Sequence, residues 1–182
     1  MRRPIDITDF LTNLADKLED RDPDALVPAY QVFANNKTST SDPMDGVLTA
    51  MGNNPEAALE YLTPEGDGSV DGDGNWVPDD KARQRWEKLT SRDWDCDFTM
   101  PASDKPTAAD GLTSAVAAAS SFRNPGPGED GAVSSDAAQR DAAATYTSGM
   151  GVDYFSGDSW SRDEFTDTMK HNLAVVVANS PE

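Results

Sequence analysis

Residues 67–75 alternate hard oxygen donors in a pattern that could hold a cation. Asp67, Ser69 and Asp71 followed by Gly72 match D-x-S-x-D-G, and Asp73 and Asn75 add two further donors. In a calcium loop, alternating oxygens ahead of a glycine turn converge on one hard ion. Position twelve, where a bidentate Glu would close the shell, is Pro78, with Asp79 and Asp80 one and two places late. The expectation is an irregular, weak calcium site on Asp67, Ser69, Asp71, Asp73 and Asn75, set against the plainer reading of a solvated, turn-rich loop.

Other chemistry finds little support in the residue types. His171 and Cys96 are each the sole member of their kind. A zinc site needs several His and Cys ligands, and Cys96 has no internal disulfide partner. His171 would need a nucleophile and an orienting acid that spacing does not reveal, so it is expected at a helix surface. The G-x-x-x-x-G-K-[ST], G-x-S-x-G and H-E-x-x-H signatures are absent, and Gly126-Pro127-Gly128 is a rigid turn rather than a phosphate cradle. The 33 acidic residues offer too many carboxylate pairs to single out an acid and a base. No catalytic residue and no cofactor beyond calcium is assigned, and nothing specifies an enzyme.

Those 33 acids face 15 Lys and Arg, for a net charge of -18. Such a field repels nucleic-acid backbones and anionic membranes and favours a basic protein partner or multivalent cations. The longest apolar run, Leu173 to Ala178, is too short to cross a bilayer, and MRRPIDITDF lacks the apolar stretch of an ordinary signal peptide. The expected location is the cytoplasm, or outside the cell by a route without such a signal.

The elements that must position these residues are helical. Ile7, Phe10, Leu11, Leu14 and Leu18 recur at three and four, which predicts an amphipathic helix over 7–20. Asp22-Pro23, Asp42-Pro43 and Asn54-Pro55 each precede an apolar-periodic stretch. An Asx side chain can accept the free N–H groups of a first turn, and proline at its first position loses no hydrogen bond, so each pair predicts a helix start. The stretches carry Leu26, Tyr30 and Phe33, then Met44, Val47, Leu48 and Met51, then Ala58, Leu59, Tyr61 and Leu62; Gly52 is the expected C-cap of the second. The glycines and prolines of 63–80 predict a long loop with no regular element.

A short helix over 81–89, capped by Asp79 or Asp80, carries Ala82, Arg85, Trp86 and Leu89 on one side. Irregular chain follows over 91–106, anchored by Trp94 and Phe98. Two alanine-rich helices are expected over 107–122 and from Ser134 or Ser135 to Ser148, with a turn region over 149–157. Ser161 and Glu164 form a capping box for a last helix over 162–178. The result is an all-α fold, a compact bundle of about seven or eight short helices with long acidic loops, in one domain over 1–182. Within it, 7–62 form an N-terminal helical subassembly, 63–106 a loop-rich insertion, and 107–178 the alanine-rich and C-terminal helices.

The segment Asp42 to Leu62, with Met51-Gly52-Asn53-Asn54-Pro55-Glu56-Ala57-Ala58-Leu59 at its centre, resembles an uncharacterised helical domain family of filamentous actinobacteria. Arg92-Asp93-Trp94-Asp95, Gly111 to Ser121 and Ser134 to Tyr146 occur in a similar order there, so the likeness spans about residues 7–150. It implies gene neighbourhoods of WXG100-type proteins and polymorphic toxins, and a structural or export-related role. The chain itself has no W-x-G turn, and its two Y-x-x-x-[DE] matches, Tyr61 with Glu65 and Tyr154 with Asp158, are few enough to arise by chance. Three roles follow as expectations: an interaction or scaffold module in a secretion- or toxin-associated assembly, an acidic inhibitor or immunity-like protein covering a basic surface, or a calcium-binding extracellular module. The oligomeric state is left open.

Overall fold

Six of the seven helices among the described residues open on a short polar side chain that accepts a backbone N–H of the first turn, which satisfies a donor the helix itself cannot. The computed structural model describes residues 6–21, 42–64, 66–92, 94, 109–128, 132–157, 160 and 162–180. In chain order these form α1 (Ile7–Glu19), α2 (Pro43–Met51), α3 (Pro55–Leu62), β1 (Gly68–Val70), β2 (Trp76–Pro78), α4 (Asp80–Ser91), α5 (Ala109–Ser120), α6 (Ser135–Ser156) and α7 (Asp167–Ala178). Asp42 and Asn54 cap α2 and α3, each with proline in the first turn, and Asp79 caps α4 through the amides of Lys81 and Ala82. The expected all-α class holds, with one small two-stranded sheet added. The helix expected after Asp22-Pro23, with Leu26, Tyr30 and Phe33, lies outside the described residues, as do Cys96 and Phe98.

α5 is the axis of the bundle and packs against α2, α3, α6 and α7. Its alanines leave little bulk between backbones, so neighbouring helices approach closely. Around it sit Met44, Leu48 and Met51 of α2, Leu59, Tyr61 and Leu62 of α3, and Met169 and Val176 of α7, all buried, while Trp86 and Leu89 of α4 are buried where that helix meets α1, α3 and β2. In α1 the buried line is Leu11 and Ala15, with Leu14 and Leu18 half-buried; Ile7 and Phe10, expected on the same face, are exposed at its first turns.

Two buried cations tie distant segments together. The Arg85 side chain is only 4% exposed, which is possible because each of its three nitrogens donates a hydrogen bond. Nε donates to Glu19 (2.9 Å), Nη2 to Asp16 (2.5 Å) and Nη1 to the Tyr61 carbonyl (2.5 Å), with the guanidinium 4.4 Å from the centre of the Tyr61 ring. The Tyr61 hydroxyl donates to Glu19 (3.2 Å), and burial, followed by the Glu19 charge, holds that phenol well above its usual range. Arg92 grips Asp42 with two nitrogens, so the residue that caps α2 also fastens the chain leaving α4.

Three sequence expectations are corrected, and a fourth, the Gly52 cap, holds for a different physical reason. The loop over 63–80 contains the antiparallel hairpin β1–β2, with Gly68 opposite Pro78, Ser69 opposite Val77 and Val70 opposite Trp76. Its turn forms because Asp71 accepts the amides of Asp73 (2.9 Å) and Asn75 (2.8 Å), while Gly74 supplies the φ of 86° that side-chain-bearing residues avoid. α6 does not stop at Ser148 but continues through Gly149 to Ser156, its Gly151 lying against Val116 of α5. The last helix begins at Asp167 and not at 162, because Thr166 takes the Met169 amide at 3.0 Å as N-cap; Arg162–Glu164 form only a 3-10 turn. Gly52 ends α2 as expected but in right-handed conformation, at φ -56°, so its small size matters instead: a Cβ there would stand 2.7 Å from Ser114 Cβ.

Candidate functional site

The carboxylates of Asp67 and Asp71 in the acidic loop are engaged locally. Asp67, just ahead of β1, lies 2.8 Å from Lys81 Nζ of α4. Asp71 is held as a carboxylate below its ordinary pKa, first by the Asn75 amide, then by the amide of Asp73. Ser69 lies on exposed β1, and Asp73 is exposed at the tip, while the Asn75 carbonyl accepts the Asp71 amide. The five residues thus build and brace a hairpin, and among the described residues no group of three or more His, Cys, Asp or Glu is placed to hold a metal ion. His171 is exposed on α7.

The hairpin also shapes the surface around it. It places Trp76 against α6, with the indole 4.8 Å from the Tyr146 ring and only 6% exposed. α3, the hairpin and the first turns of α6 then enclose a cleft of about 320 Å3. Its apolar side is Leu59, Trp76 and Ala143, and its rim carries Glu56, Glu60, Asp136 and Arg140. Arg140 of α6 pairs with Glu56 of α3 and stacks 4.5 Å from the centre of the Phe122 ring. Sequence reasoning missed this cleft, because its walls come from segments some 80 residues apart and its apolar side depends on the hairpin.

A second polar cluster joins α2, α5 and α7. Asp45 accepts the Gly111 amide at 2.7 Å in the first turn of α5, and Thr166 donates to Asp110. Burial first, then the charges of Asp110 and Asp42, push the Asp45 carboxyl up to about 6. Burial also raises Asp110, opposed by the Thr166 hydroxyl. Asn172 of α7 donates to Thr113 and Ser114, which completes a seam whose hydrogen bonds run between helices. These contacts fasten the helices to one another.

The cleft by α3 therefore combines concavity, an apolar wall that includes Trp76, and charged rim residues. The model of a family of unknown function (DUF6571) matches residues 8–182, a longer span than the expected 7–150. No curated protein and no solved structure matches the chain.

Proposed function

The chain belongs to this family of unknown function, and from that premise we propose that it is a non-enzymatic interaction or scaffold module that takes a basic segment of a protein partner into the cleft between α3, the hairpin and α6. The observation that carries this reading is the cleft itself. Three acidic residues, Glu56, Glu60 and Asp136, rim an apolar side built on Trp76, within a chain whose net charge is -18. A cationic partner is drawn to such a surface before contact, and the indole and Leu59 then give its aliphatic stems something to bury against. The setting that the sequence resemblance implies for such a module is a secretion- or toxin-associated assembly of filamentous actinobacteria. The net charge also favours a second reading, an immunity-like inhibitor that covers the basic surface of an enzyme such as a nuclease.

Cross-linking of the immobilised chain to candidate partners tests the first reading. The expected partner is basic, cross-links to residues 56–68 and 136–140, is lost from a Glu56→Gln/Asp136→Asn variant, and associates more slowly as salt rises from about 0.02 to 0.5 M, over which screening lengths shrink several-fold. A partner that cross-links elsewhere, with an association rate indifferent to salt, would overturn it. Stoichiometric loss of the partner's own enzymatic activity on binding would select the inhibitor reading.

A further inference from the structure

Among the described residues lining the α3 cleft Arg140 is the cation, and its own surroundings describe a guanidinium site. Its Nη2 pairs with Glu56, and its plane lies over Phe122. Ion pairing to a carboxylate combined with stacking on an aromatic face is a recurrent way to hold an arginine. We infer, resting on the docking reading above, that Arg140 is an internal stand-in for the partner: it fills the position that an arginine of the basic segment takes, and it leaves when that segment seats.

Three observations support an exchange rather than a fixed structural pair. Arg140 is 40% exposed and Glu56 50% exposed, so the pair is screened by solvent and holds the side chain only weakly. On its far side Arg140 also walls a second cleft of about 560 Å3, lined by Ser121 to Pro125, Ser134, Asp136 and Ala137. That space can receive the displaced side chain, with Asp136 shared by both clefts as its next carboxylate. An incoming guanidinium remakes both lost contacts, on Glu56 and Phe122, so the exchange conserves them in kind. With Arg140 withdrawn, Glu56 and the Phe122 face are left open to an arginine of the incoming segment.

The test uses the full chain and tetra-arginine amide as the probe, at low ionic strength, with calorimetry for affinity and the Trp76 indole N–H resonance as a reporter of place. Arg140→Ala should bind about threefold tighter than wild type, as expected when a weakly held competitor that occupies the site roughly two-thirds of the time is removed. Lys170→Ala removes the same unit of charge from exposed α7 and should leave affinity near wild type. Adding Glu56→Gln to Arg140→Ala should abolish the gain. Both single variants alter half-exposed or exposed side chains, and coincident melting curves would exclude unfolding as the cause.

Equal binding by wild type and Arg140→Ala, with the Trp76 resonance moving in both, would overturn the stand-in role and leave the docking reading in place. A gain shared by Lys170→Ala would overturn it too, by reducing the effect to net charge. Absence of binding by every variant would remove both readings together.

Discussion

Asp45 is the residue at which charge and packing conflict most openly. Its carboxylate accepts the Gly111 amide inside the junction of α2 with α5, while Asp110 and Asp42 stand close enough to oppose its ionisation. Asp42 has Arg92 as a partner, and Asp110 has the Thr166 hydroxyl. A folded-state pKa of about 6 against the ordinary 3.8 means that the folded chain holds this proton more tightly than the unfolded chain does. Its contribution to stability is therefore fully present below 3.8 and is lost as pH climbs through about 6. Asn at this position keeps the oxygen that accepts from Gly111 and removes the charge. Asp45→Asn should accordingly stabilise the fold near neutral pH by about 1–2 kcal/mol, after allowance for the group's partial exposure. Urea midpoints at pH 7.5 and pH 4.5 check it: the gap between variant and wild type should shrink at the lower pH, and a gap that stayed constant would assign the effect to packing.

At the scale of elements, close approach to α5 is what the alanine and glycine content accomplishes. Gly111 shows it best, since a Cβ there would stand 2.4 Å from the Asp45 carbonyl oxygen, a backbone atom that can move only if α2 moves. Gly111→Ala gains helix propensity on paper, yet it should cost about 1–3 kcal/mol because overpacking a filled interface outweighs propensity. A Tm that rose instead would show that α2 yields freely. The alanine-rich pattern makes this packing legible in the sequence, and the Asx-Pro starts of α2 and α3 and the placement of Arg85 with Ala82, Trp86 and Leu89 are equally legible, because those signals are local. Non-local contacts were not legible. The α6 boundary depended on Gly151 meeting Val116, and the α7 start on Thr166 outcompeting the expected cap. The acidic loop was read by its donors, whereas its shape follows from which amides Asp71 takes and from Trp76 finding Tyr146 some 70 residues away. The α3 cleft, built on that same Trp76, was illegible for the same reason.

For the molecule as a whole, two electrostatic effects with opposite salt dependence compete. Ion pairs such as Lys88 with Asp20 and Arg83 with Asp80 lie at the surface, where screening weakens an interaction already worth little. Arg92 with Asp42 is buried and responds little to added salt. Against these stands the mutual repulsion of a chain with 33 acidic and 15 basic residues, a term that opposes compactness and that salt relieves. The excess of acids is larger than the set of surface pairs can offset, so relief of repulsion should win. At neutral pH the Tm should climb by a few degrees as sodium chloride rises from about 0.02 to 0.5 M, the range in which screening lengths fall from roughly 20 Å to below 5 Å. Sodium sulfate and sodium chloride compared at equal ionic strength separate screening from the general strengthening of apolar burial, which sulfate alone promotes. A basic partner seated on the acidic rim would relieve the same repulsion without salt. The salt-induced gain in Tm should therefore be smaller for the complex than for the free chain, and an undiminished gain would place the contact away from the acidic excess.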